Sequence, residues 1–376
     1  MNPEVALISG VDPFETPMRI LHVWQPAEAG VQIYASGAAR FQAEKGWDIH
    51  VACPNPPPMP GVTAHLWTAE RSPIRGLRSE SRSLQIIVDE VDPDVVVAHS
   101  SKAGMVVRGM LRGSVSTVFL PHAWSAYGLP RPLAPAAIAW ERLAARWTNA
   151  IVAGGEREAE AGVAFGIRAP MFVVRNPVRE GWQVATEEER ASARTELGLG
   201  SQPVVVCLGR LAKQKGQDVL LQAWESVSRA APEAVLILVG DGPDAEELKA
   251  NAPRTVVFAG ATDDPRPYLA ACDISVVPSR WETFSLSMLE GMATGRSSVV
   301  TDVSGGEAIT NANAGAKVAI DDVDALAAEL TKRVTGQVDL AAEGRRAHEY
   351  TTRFHDYATQ MTRLSAVVVR AHAFGR

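Results

Sequence analysis

Short Val- and Ile-rich segments alternate with longer amphipathic stretches through most of this chain, in two passes separated by a polar interval. The first pass predicts strands over 19–24, 49–52, 95–98, 117–120, 150–153 and 172–174, with helices over 32–45, 81–90, 104–111 and 134–147. The second predicts strands over 204–208, 235–239, 256–259, 274–277 and 298–301, with helices over 217–229, 244–251, 267–271, 286–294 and 323–334. Near-continuous apolar strands set between helices indicate parallel sheets covered on both faces. A chain of 376 residues is too long for one ordinary core. The expected fold is therefore α/β: two facing Rossmann-like domains with an interdomain cleft.

The boundaries follow from the same pattern. Residues 1–17 read as a flexible N-terminal extension, 18–180 as the first domain and 181–202 as a polar linker holding a charged helix at 187–197. Residues 203–340 read as the second domain, and 341–376 as helices that could cross back to the first. Open parallel sheets bind ligands beyond the carboxyl ends of their strands, which places the site in the cleft.

Charge and composition exclude several classes. A net charge of -6 gives no electrostatic footprint for nucleic acid. No apolar run approaches the roughly 20 residues of a membrane-spanning helix, and the N-terminus lacks the basic start and apolar block of a signal peptide. Cys53, Cys207 and Cys272 are scattered without disulfide or metal spacing and read as buried thiols of a cytoplasmic protein. Helix 134–147 carries Trp140, Leu143, Ala144 and Trp147 on one face. Docking of that face on the sheet is the first reading, and peripheral contact with the inner face of a membrane is the second.

Three loops of the second pass carry chemistry. Gly209-Arg210-Leu211-Ala212-Lys213-Gln214-Lys215-Gly216 joins a strand end to a helix start. Two cations and free amides there suit a diphosphate, although alone the stretch reads equally as a solvated basic loop. Gly240-Asp241-Gly242-Pro243 follows the next strand and by itself is a tight strand-to-helix turn. In Trp281-Glu282-Thr283-Phe284-Ser285-Leu286-Ser287-Met288-Leu289-Glu290, Glu282 sits in a loop and Glu290 about one turn into a helix. The amides at 283–285 flanked by two carboxylates form an array for sugar hydroxyls or phosphate.

In order and spacing, these segments resemble family 4 of the retaining glycosyltransferases, of the GT-B fold, over residues 204–309. The resemblance rests on a GR-L-x-x-x-KG stretch, a V-G-D-G-P turn and a Glu-x7-Glu motif from Glu282 to Glu290. It implies transfer of a hexosyl unit from a nucleoside diphosphate sugar, a UDP-sugar by family frequency, to an acceptor hydroxyl. Arg210 and Lys215 would neutralise the diphosphate, and Glu290 would hold the ribose hydroxyls. Glu282 would contact the sugar, with Thr283, Phe284, Ser285 and Leu286 lining the donor. The family often has Gly where Thr283 and Ser285 stand here, and side chains at those points would re-aim the sugar pocket. With cations supplying the neutralisation, neither metal nor cofactor is expected.

The first half resembles the family more loosely. Glu28-Ala29-Gly30-Val31 stands where a Gly-Gly loop is usual, and only the Gly30 amide remains to approach a phosphate. His122, after the strand 117–120, fits the family's active-site histidine; a buried structural histidine is the competing reading. Lys102, Trp124 and Tyr127 are read as acceptor-side residues, Lys102 equally as a surface lysine, with the Pro-rich loop to Pro135 framing the cleft. The acceptor is expected to be a glycan, a lipid-linked sugar or a small metabolite. Asp92-Pro93-Asp94, Asp263-Asp264 and Asp321-Asp322 are read as turns and caps and not as metal ligands. Rival readings are a nucleotide-sugar epimerase on the same fold and a non-catalytic nucleotide-sugar-binding partner. A dehydrogenase lacks its G-x-G-x-x-G.

Overall fold

A computed structural model describes residues 12–26, 29–70, 75–129 and 132–374. Most of the N-terminal extension, Glu28 and Pro130 lie outside them. The chain divides into two compact units, residues 1–176 with 357–376, and residues 177–356. The segment 181–202 belongs to the second unit. The C-terminal segment divides, helix Leu340–Phe354 in the second unit and helix Tyr357–Phe374 in the first. No described helix is long and apolar enough to cross a membrane.

The first unit holds β1 (Arg19–Trp24), β2 (Asp48–Cys53), β3 (Val62–Leu66), β4 (Val95–His99), β5 (Ser116–Leu120), β6 (Ala150–Ala153) and β7 (Met171–Val173). They form a seven-stranded sheet in the order β3-β2-β1-β4-β5-β6-β7, every neighbouring pair parallel. The second unit holds β8 (Val204–Leu208), β9 (Val235–Val239), β10 (Val256–Gly260), β11 (Ile274–Val277), β12 (Ser297–Thr301) and β13 (Gly315–Val318). Its parallel sheet runs β10-β9-β8-β11-β12-β13. Both orders reverse direction after the first strand of the unit, the Rossmann pattern. The points of reversal, between β1 and β4 and between β8 and β11, open the crevices where such sheets bind ligands.

The central strands are apolar because both faces are covered. Ile20, Val95, Val97 and Val118 pack under Trp24, Tyr34 and Phe41 together with Leu364 and Val367 of the last helix. Leu21, Val96 and Phe119 pack on the other face with Trp67, Leu84 and Trp124. The two strands without a prediction, β3 and β13, are both edge strands, and β3 leaves Thr63, Ala64 and Leu66 exposed.

One helix face differs from expectation. In Ala134–Ala144, Ala144 is fully buried, but Leu143 is 41 % exposed. The inward place goes to Glu141, whose carboxylate meets the fully buried Arg108 at 2.9 Å. Arg108 in turn stacks on Phe119 at 3.7 Å. A buried charge is tolerable only with a partner, and this one comes from a helix more than thirty residues away.

Candidate active site

In the second unit, the loops after β8, β9 and β11 are knitted together at the β8/β11 crevice. Leu211 anchors the first loop in the core. Its amide donates to the Asp241 carbonyl at 3.0 Å, and its own carbonyl accepts from the Asp244 amide at 3.1 Å. A Cβ on Gly242 would overlap that carbonyl, which explains the small residue in the turn. The third loop is tied by the Arg280 amide, donating to the Gln214 carbonyl at 2.8 Å. The Arg280 guanidinium grips both oxygens of Asp218, at 2.8 and 2.7 Å, and donates to the Lys213 carbonyl at 2.7 Å. Beside it the Asp218 carboxyl is held below the usual carboxylate range.

This frame sets the charged groups. Lys215 leaves a single 3-10 turn, Lys213–Lys215, and its Nζ reaches Glu282 Oε1 at 2.5 Å. The Ser279 hydroxyl donates to the same oxygen at 2.8 Å. Glu290 lies on helix Leu286–Ala293, 2 % exposed, with Oε1 at 2.6 Å from Arg179 Nε. Burial lifts the Glu290 carboxyl to about 7, with Arg179 and Lys215 pulling the other way. The charge of Lys215 is thus felt by both carboxylates. Arg210 is exposed at the mouth of its loop.

The donor-loop residues divide. Thr283 and Leu286 are half-buried, whereas Phe284 is buried with its ring 4.9 Å from that of His355. Ser285 caps the helix, its hydroxyl accepting from the Met288 amide at 3.3 Å. Its backbone is extended, at φ -69, so this position does not call for glycine. Asp322 likewise caps its helix through the Ala325 amide at 2.9 Å.

In the first unit, Gly30 is exposed in the first turn of helix Ala29–Glu44. His122 follows β5 in a left-handed conformation, φ 50, that non-glycine residues adopt at a cost. Its ring meets the edge of Tyr34 at 4.9 Å. The turn is held by Glu158, which accepts from the Ala123 amide at 3.0 Å and the Gly154 amide at 2.7 Å. Trp124 and Lys102 do not frame an open surface. Trp124 is 1 % exposed and donates its indole N–H to the Glu158 carbonyl at 2.8 Å. Lys102 is buried against Glu80 at 2.7 Å. Tyr127 is 55 % exposed.

Burial raises the Glu158 carboxyl to about 7. A carboxyl raised on folding makes the native state bind its proton more tightly, so stability falls as pH rises from the unfolded value toward the folded one. Relative to wild type, Glu158→Gln should lose about 2 kcal/mol less unfolding free energy between about pH 5 and about pH 7. Denaturant titrations at both pH values check this; identical slopes would remove Glu158 as the titrating clamp.

Residue reading alone missed His22, Gln42, His99, Glu158, Arg179, Ser279 and Arg280. Most sit inside helices or strands, where only a distant partner gives them a role.

Two Rossmann-like units of these strand orders, each with polar groups at its crevice, define a GT-B architecture of the glycosyltransferase class. Solved structures agree over nearly the whole chain. Sucrose-phosphate synthase from Thermosynechococcus elongatus aligns with a TM-score of 0.79 at 20% identity, covering 92% of this chain and 97% of that one. HepE from Anabaena, solved with UDP-glucose, gives 0.80 at 20% identity, covering 93% and 98%. The family models named Glycosyltransferase Family 4 and Glycosyl transferases group 1 match residues 29–181 and 202–335. The chain belongs to glycosyltransferase family 4.

Among curated relatives, a GDP-mannose-dependent alpha-(1-6)-phosphatidylinositol monomannoside mannosyltransferase of Mycolicibacterium smegmatis is 36% identical over 176 residues. That alignment covers 43% of this chain and 44% of the relative, less than half its length. A D-inositol 3-phosphate glycosyltransferase of Segniliparus rotundus is 27% identical over 375 residues, covering 88% and 82%.

Proposed function

We propose that the protein moves a hexosyl unit from a nucleoside diphosphate sugar to an acceptor hydroxyl with retention of anomeric configuration. The observation that carries this is the grouping of Lys215, Glu282 and Glu290 around the β8/β11 crevice, under a loop that also presents Arg210. In this reading Arg210 and Lys215 neutralise the diphosphate, and no divalent cation is needed for that task. Glu290 accepts from the ribose hydroxyls, sharing its carboxylate with Arg179, and Glu282 contacts the transferred sugar. The bond from the anomeric carbon to the phosphate oxygen breaks while a bond to the acceptor oxygen forms on the same face. The departing phosphate oxygen takes the acceptor proton.

GDP-mannose is the first donor to test, because the name of the mycobacterial relative carries it. A uridine donor is the alternative. Both relatives are named for inositol-containing acceptors, which favours that chemistry over a free polysaccharide end. The protein would thus serve glycolipid or glycosylated-metabolite biosynthesis.

Water can stand in for the acceptor. Incubation with GDP-mannose in EDTA should release GDP together with mannose of the donor's own anomeric configuration, followed by proton NMR before mutarotation. Release of the opposite anomer would overturn retention. Absence of release from any sugar nucleotide, with and without an inositol acceptor, would overturn the transferase reading.

A further inference from the structure

His122 is the last member of a buried chain of hydrogen bonds that runs back through the first sheet. Its Nε2 lies 3.1 Å from Nδ1 of His99, which ends β4. His99 Nε2 lies 2.9 Å from Nδ1 of His22 in β1. His22 Nε2 lies 2.8 Å from Oε1 of Gln42, on helix Ala29–Glu44. Gln42 Nε2 donates to the Ser365 hydroxyl at 3.2 Å, and that hydroxyl donates to the Met361 carbonyl one turn back in its own helix, at 2.9 Å. His22, Gln42, His99 and Ser365 are all fully buried.

The chain has one direction. Ser365 spends its single proton on Met361, so toward Gln42 it can only accept. This orients the Gln42 amide with Oε1 toward His22. An amide oxygen is an acceptor only, so His22 carries its proton on Nε2 and offers a bare Nδ1. His99 must then donate from Nε2 and accept at Nδ1, and His122 must donate from its own Nε2. A neutral imidazole holds one proton, so Nδ1 of His122 is left with a lone pair. Burial keeps the three rings neutral: His22 and His122 are lowered to about 4 and His99 is lowered as well.

We propose that Gln42 is a positioning residue which, through His22 and His99, fixes His122 as the Nε2–H tautomer, so that His122 presents Nδ1 as an acceptor for a substrate hydroxyl. The substrate contact rests on the reading of His122 as an active-site residue; the tautomer does not. The chemical consequence is a selectivity. A bare nitrogen at this point welcomes a hydroxyl hydrogen and disfavours a carboxylate or phosphate oxygen, which would bring a second acceptor to the same place. The left-handed backbone at His122 and the Glu158 clamp on the next amide keep the ring at the end of the chain.

The test is nitrogen-15 NMR of the histidine side chains in substrate-free protein, with His122 assigned by its loss in His122→Asn. Wild-type protein should show His122 protonated on Nε2 alone. Gln42→Met fills similar space without an amide and removes the anchor. In it, His122 should become a mixture of both tautomers, and kcat/KM for sugar transfer should fall about tenfold, the worth of one well-aligned hydrogen bond. Protonation of His122 on Nδ1 in wild type, or a pure Nε2–H form in Gln42→Met, would overturn the relay. A mixed tautomer with wild-type turnover would overturn the substrate contact. If wild type shows the stated tautomer but transfers no sugar, the relay stands and the transferase reading falls.

Discussion

Lys215→Ala is expected to lower turnover of the sugar nucleotide by about two to three orders of magnitude, the loss typical of removing one charge-stabilising donor. Its melting temperature should stay within a few degrees of wild type. The side chain does not hold the loop, which is fixed by Leu211, Gln214 and Arg280. It touches Glu282 at 2.5 Å in a pair whose side chains are 22% and 9% exposed, so its loss costs some folding energy, moderated by the Ser279 hydroxyl that stays on the Glu282 carboxylate. The catalytic cost is different in kind. In the proposed reaction, negative charge grows on the leaving diphosphate as the bond to the anomeric carbon stretches, and a fixed cation there would act in the transition state more than in the ground state. Glu282 would also keep only the Ser279 hydroxyl to orient its carboxylate. Steady-state kinetics beside a melting curve check both halves, and unchanged turnover would remove the phosphate assignment. Arg210→Ala should act in the same direction.

Gly216→Val should damage the second unit severely. Gly216 adopts φ 66, and a Cβ there would overlap the Pro278 carbonyl. The left-handed backbone alone costs about 1–2 kcal/mol for an L-residue, more for a branched one. The overlap then forces apart the loops after β8 and β11, which carry Lys215 and Glu282. A total loss of at least about 3 kcal/mol is expected, together with nucleotide binding. Gly181→Ala is the control. Gly181 has φ 78 but nothing lies within 4 Å of its added Cβ, so only the backbone term, about 1 kcal/mol, should appear. Denaturant unfolding separates the two; equal losses would show that the contact with Pro278 contributes nothing.

The central strands were legible because burial on both faces makes their residues predominantly apolar. Arg19–Trp24, Val204–Leu208 and Ile274–Val277 match their predicted bounds residue for residue. Two of the four edge strands were not legible. Val62–Leu66 and Gly315–Val318 have one neighbour each and no continuous apolar run, so their sequences carry loop composition. In the candidate site, the loop motifs pointed to Arg210, Lys215, Glu282 and Glu290 because strand-to-helix turns mark their place in the sheet. Glycine at 283 and 285 was read as the expected pattern, yet Ser285 serves as a helix cap and needs no positive φ. Arg280, Arg179 and the His22–His99 pair had no local signature. Their roles come from partners brought close only by the fold, such as Asp218 sixty-two residues from Arg280.

The proposed nucleoside diphosphate site on Lys215, Arg210 and Glu290 is tested most directly by thermal unfolding in EDTA. Ligand that binds only the folded state stabilises it by about 2.7 kcal/mol at a hundredfold excess over its Kd, a shift of several degrees. GDP, UDP, ADP and dTDP are compared on wild type and on Glu290→Ala. A shift is expected with one of them, GDP first, and should disappear in Glu290→Ala. No shift with any nucleotide, or an equal shift in the variant, would contradict it.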